Sequence, residues 1–205
     1  MTETRSLHIT IVYPDGMPSE PFDEFCNSIS SDNLCLKVHK EENLVLRASI
    51  EDLLQTAIVV YIAKPYFEAF LSEMGKDHYL TLKAAIKSLF SKLKPMHARV
   101  VTAKGTKDRN SRYSVTYSIF AESAAGTRIK FLFPENAAVE EQETIIEAAL
   151  EFLMDNHQGH APEITDTSND PRMQWLSVHA LRFNEEKGEF EVVNPFPPQE
   201  QDSLS

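Results

Sequence analysis

The sequence predicts an α+β fold: a single two-layer domain with a mixed or mostly antiparallel sheet, a central three-strand meander flanked by helices, and a C-terminal hairpin. Three observations lead there. Several short runs alternate apolar and polar residues with the period of a strand, two long segments carry apolar residues at helical spacing, and the two kinds of segment recur without a fixed repeat. A chain of 205 residues is long enough to bury a core unaided, and its 42% hydrophobic and 25% charged residues are globular proportions. Residues 1–194 are therefore read as one domain. Residues 195–205, with Pro195, Pro197 and Pro198, are read as a flexible tail.

In chain order, Leu7, Ile9, Ile11 and Tyr13 alternate with His8, Thr10 and Val12, which predicts a half-buried strand stopped at Pro14-Asp15-Gly16. Phe22, Phe25, Cys26 and Ile29 share the face of a short helix. Residues 34–38 and 44–48 read as a hairpin across a polar loop. Residues 56–63 are apolar on both alternating faces, as a central buried strand would be, and Lys64-Pro65 then opens a helix. That helix carries Phe67, Phe70, Leu71 and Met74 on one side, with Gly75 expected at its end. A second helix follows, with Leu82, Ile86, Leu89 and Leu93 inward.

Residues 97–103, 113–121 and 127–133 form the expected meander, with Gly126 closing a turn. Residues 139–154 are the clearest helix, with Val139, Ile146, Ala149, Leu150 and Leu153 on a buried stripe. Residues 175–183 and 190–193 flank the turn 184–188 of the terminal hairpin.

No apolar run exceeds residues 57–63, far below the roughly 20 residues that cross a bilayer. The first residues lack the basic and apolar regions of an export signal, so a cytoplasmic location is expected. Cys26 and Cys35 do not carry a metal-ligand spacing, and core packing accounts for Cys26.

The net charge of −11 hides a segregation. Residues 76–112 hold ten Lys or Arg against Asp77 and Asp108, while residues 131–171 hold ten acids and no Lys or Arg. Within the acidic block, Glu140, Glu143, Glu147 and Glu151 follow helical spacing and line one side of the helix, where like charges repel. Such a ridge is either a solvated face, an internal partner of the basic stretch, or a surface that meets a basic protein. A second surface is the basic loop containing Lys104, Lys107, Arg109 and Arg112, whose cations could contact an anion. The acidic remainder repels a polyanion, so extended nucleic acid is not the expected partner.

His8-Ile9-Thr10 has the His-x-Thr form used in pairs for acid–base work at a phosphodiester, but its only companion, His179-Ala180-Leu181, lacks the hydroxyl. His157 and His160, with Asp155, Asp166 and Asp170 nearby, match no zinc or metalloprotease spacing. No phosphate-binding loop, nucleophile elbow or dinucleotide fingerprint occurs, and neither cofactor nor metal is expected. The sequence is thus read as a non-catalytic interaction protein, a regulator, inhibitor or accessory subunit, that binds a basic partner through its acidic surface. The alternative is a small phosphoester hydrolase whose histidines and carboxylates are assembled by the fold.

Overall fold

In the computed structural model the described residues are 6–41, 56–69, 75–94, 100–102, 105–107, 113–161, 164 and 178–194. The elements run β1 (Ile9–Pro14), α1 (Glu20–Ile29), β2 (Leu36–Glu41), β3 (Ile58–Ile62), α2 (Lys64–Ala69), α3 (Gly75–Leu93), β4 (Val100–Thr102), β5 (Gly105–Lys107), β6 (Tyr117–Glu122), β7 (Arg128–Leu132), α4 (Val139–His157), β8 (Val178–Asn184) and β9 (Glu189–Val192). Seven strands form one mixed sheet in the order β2-β1-β3-β6-β7-β8-β9, and β4 and β5 form a separate antiparallel pair.

Strand alternation builds the core. Through successive partners, Val38, Ile11, Val60, Ile119, Phe131, Leu181 and Val192 form one apolar row across all seven strands. The helices pack on the face carrying this row. Phe22 of α1 stacks on Tyr13 of β1 at 3.7 Å between ring centroids, and Phe90 of α3 meets Tyr117 of β6 at 4.5 Å. Phe152 of α4 sets its edge against Phe131 and Phe190. Helix α1 packs on α3, and α3 on α4, so the helices form one layer. This is an α+β domain of two layers, and no helix among the described residues is long and apolar enough to cross a membrane.

The parallel pairs β1·β2, β3·β6 and β7·β8 are each joined through helices, because parallel neighbours need a long crossover. The antiparallel pairs β6·β7 and β8·β9 are hairpins. At the terminal hairpin, the Asn184 side chain accepts the Glu186 and Lys187 amides and Gly188 takes φ 68°, a left-handed turn position that suits glycine. Glu191 gathers Arg182, Asn184 and Lys187, whose hydrogen bonds hold its carboxyl down at about 2.

Four expectations change. The three-strand meander becomes part of a wider sheet: β4 pairs with β5 alone, and β6 lies between β3 and β7. The crossover through α2 and α3 returns the chain to the same end of the sheet, so β6 joins β3 in parallel. Strand β3 is buried on one face only: Ile58, Val60 and Ile62 are fully buried, but Val59 and Tyr61 only partly. Gly75 is the first residue of α3. Residues 70–74, 44–48 and 195–205, and with them the second half of the expected first hairpin and the tail, lie outside the described residues. The described strand of that hairpin, β2, pairs in parallel with β1.

Candidate functional site

Helix α4 presents the acidic ridge because its opposite side is locked to the sheet. Gln142, Ile145, Ile146, Ala149, Leu150, Leu153 and Asn156 are buried; Ile145 and the two amides join the stripe legible in sequence, while Val139, expected on it, is half-buried. At its start the Ala138 amide donates to Glu141 Oε2, a capping arrangement, and buried Gln142 donates its side-chain amide to the Ala137 carbonyl. Near its end Asn156 Oδ1 accepts the Ala124 amide at 2.8 Å. His157 Nε2 lies 2.9 Å from the Glu122 carbonyl, and its ring stacks on Phe67. The helix therefore runs three residues past the expected 154, because Asn156 and His157 anchor its last turn to the sheet.

This fixes Glu140 and Glu151 outward, where both are exposed. Glu143 and Glu147 lean toward α3. Lys87 Nζ donates to Glu143 Oε2 at 3.2 Å and to Glu147 Oε1 at 2.6 Å, and Lys83 reaches Glu147 at 3.0 Å. The carboxylate side chains remain 47% and 42% exposed, so solvent still screens the pairs. Hydrogen bonds from Lys87 and Lys83 hold Glu147 below the usual carboxylate range, and Glu147 in turn raises Lys87. Tyr79 feels the ridge too: burial and then Glu151, Glu147 and Asp155 push its phenol up to about 12.

Internal pairing and an outward acidic surface thus coexist on one helix. The separation follows from helix geometry: 143 and 147 are one turn apart on the side facing α3, and 140 and 151 project beside that line. Among the described residues Glu140 and Glu151 make no ion pair.

The other sequence candidates disperse. Lys104, Arg109 and Arg112 lie outside the described residues, and the backbone of Lys107 belongs to β5. His8 alternates with core-facing Ile9, whereas His179 sits in the core-facing row as the partner of Ile129. Strands β1 and β8 are four places apart in the sheet, roughly 19 Å at the usual spacing, so these histidines do not meet. His179 Nδ1 is buried with no hydrogen-bond partner among the described residues. His157 is held in the helix layer, burial lowering its pKa, while exposed His160 follows Gly159 at φ 76°. Among the described residues no group of three His, Cys, Asp or Glu is placed to hold a metal. Cys26 and Cys35 are free thiols.

Two polar features escape sequence reasoning. Tyr61 donates its hydroxyl to Glu122 Oε1, and Lys64 donates its amide to Glu122 Oε2 at 3.0 Å, so one carboxylate fastens β3, β6 and the start of α2. Burial pushes the Glu122 carboxyl up, but Tyr61, the Lys64 amide and Arg128 together hold it below its ordinary value. Lys130 lies between Phe120 and Ala180 on the face away from the helices, fully buried, with its Nζ 5.4 Å from the Phe120 ring centre. Glu122 and Lys130 fall at the polar positions of alternating strands and carry no motif that would mark them.

Comparison with protein-family models, with curated proteins and with solved structures finds no match to this chain.

Proposed function

We propose that the protein is a non-catalytic interaction protein, a regulator, inhibitor or accessory subunit, whose acidic α4 ridge docks onto a basic protein partner. The observation that carries this reading is the exposure of Glu140 and Glu151 at either end of a line whose middle members, Glu143 and Glu147, are held in place by Lys83 and Lys87. A rigid helix with pre-positioned carboxylates steers a cationic surface and loses little side-chain entropy on binding. The basic segment containing Lys104, Lys107, Arg109 and Arg112 is a second proposed surface, suited to an anion. The net charge of −11 argues against extended nucleic acid as a partner. The hydrolase reading gains no support from the described residues, where His8 and His179 occupy opposite faces of the sheet.

A helical peptide bearing lysines at i, i+4 spacing tests the proposal by titration at low and high salt. Binding that perturbs the α4 amides, fades with salt, and associates roughly tenfold more slowly to the Glu140→Lys/Glu151→Lys variant is expected. Equal binding to the variant and the native protein would reject the ridge as the docking surface.

A further inference from the structure

Among the described residues three histidine rings tie elements together, and one of these ties, at His8, requires an unprotonated ring nitrogen. His157 Nε2 lies against the Glu122 carbonyl, and His78 Nε2 lies 3.1 Å from the Ile29 carbonyl. A carbonyl only accepts, so each of these nitrogens carries a hydrogen and keeps its bond when the ring gains a second proton. His8 differs. Its Nδ1 accepts the Cys35 amide hydrogen at 2.8 Å, and an imidazolium, with hydrogen on both nitrogens, cannot accept. In the reverse direction the amides of His8 and Ile9 donate to the Cys35 carbonyl at 3.0 and 3.3 Å. The residue preceding β2 is thereby clasped to the residue preceding β1.

We propose that His8 is an acid-sensitive clasp for β2, the end strand of the sheet order: the neutral ring fastens Cys35, and protonation of Nδ1 releases the start of that strand. The surroundings favour the neutral ring. On the β2 side lie the Cys35 thiol, just before the strand, and, one row on, the Lys37 ammonium; on the β3 side lie Ala63, just after the strand, the Tyr61 hydroxyl one row on, and Lys64 following. The Tyr61 hydroxyl is committed to Glu122, and no carboxylate among the described residues pairs with the ring. Burial pushes the His8 pKa below the ordinary 6.5, and accepting a hydrogen bond as the neutral form acts in the same direction. A base with a depressed folded-state pKa contributes its full stability above the unfolded value. That contribution falls as the pH drops below 6.5 toward the lower folded value, because the unfolded chain takes up its proton first. The six residue pairs from Ile9↔Leu36 to Pro14↔Glu41 persist, so the release is a fraying of one end of the strand.

Nitrogen-edited NMR of the histidine rings, with amide hydrogen exchange corrected for intrinsic rates, tests the clasp between about pH 7.5 and about pH 4.5. At the higher pH the His8 ring should carry its hydrogen on Nε2 alone. Protection of the Cys35 amide should fall about tenfold as the ring titrates, the loss of one net hydrogen bond, while the central β3 amides hold theirs. His8→Asn places a non-titrating acceptor oxygen near the Nδ1 position and should keep Cys35 protected at both pH values; His8→Phe should leave it unprotected at both. A hydrogen on Nδ1 at the higher pH, which is read on the native chain, overturns the proposal. So does an equal loss of Cys35 protection in the native protein and His8→Asn.

Discussion

Burial changes the chemistry of Lys130. Its side chain is fully buried, and burial pushes its pKa down from 10.5 to about 7. The folded-state value lies below the unfolded one, so between about 7 and 10.5 the unfolded chain binds more protons. Stability should therefore rise as pH increases through that window and be lowest near neutrality and below. Lys130→Met removes the titration, so the native protein should gain stability relative to the variant as the pH rises from about 7 toward 10. Urea denaturation of both proteins across that range measures it, and a gap constant with pH would show that Lys130 is not titrating as described. In sequence, the strand holding Lys130 was legible but its burial was not. The alternation Ile129, Lys130, Phe131 reads as one wet face, and whether that face is covered depends on packing between residues distant in the chain. His8 was legible only as half of a catalytic pair. Its partner is a backbone amide, which has no sequence signature.

At the scale of elements, α4 joins a legible pattern to an illegible neighbour. Its apolar stripe and acidic side follow from spacing alone, since a 3.6-residue period assigns each position to a face. Its ion pairs do not, because they require α3 to lie alongside with Lys83 and Lys87 one turn apart and in register with Glu143 and Glu147. Considered alone, the ridge would be relieved by charge reversal, since like charges at i,i+4 repel. With α3 beside it, the sign inverts. Glu143→Lys/Glu147→Lys exchanges three attractive contacts for repulsive ones and should destabilise the protein by about 0.5–2 kcal/mol in low salt, less in high salt. Denaturation midpoints at two salt concentrations measure this; a stabilised double variant would mean that repulsion within α4 outweighs its pairing with α3. Strand β3 shows the same limit. Apolar residues on both alternating faces suggested burial on both, yet Val59 is half-buried and Val60 fully buried, a difference set by the helices lying on one face only.

For the whole molecule, composition and periodicity sufficed for an α+β domain, because every strand and helix must bury its apolar side in a shared core. They did not determine strand order. Among the described residues three helical crossovers and two hairpins join strands of the mixed sheet, and period-two alternation is the same whether a strand's neighbour is parallel or antiparallel. Charge placement is the molecule's most uneven property, and the fold divides it: part of the acidic helix is neutralised by α3, and part projects beyond the folded body. The central claim is that the projecting part recruits a basic protein. Affinity capture from native-host extract at stepped salt, comparing the native chain with Glu140→Lys/Glu151→Lys and quantifying every retained protein, tests it most directly. The account predicts a basic partner held at low salt by the native chain and lost both from the variant and at high salt; retention of the same proteins at the same yields by the variant would contradict it.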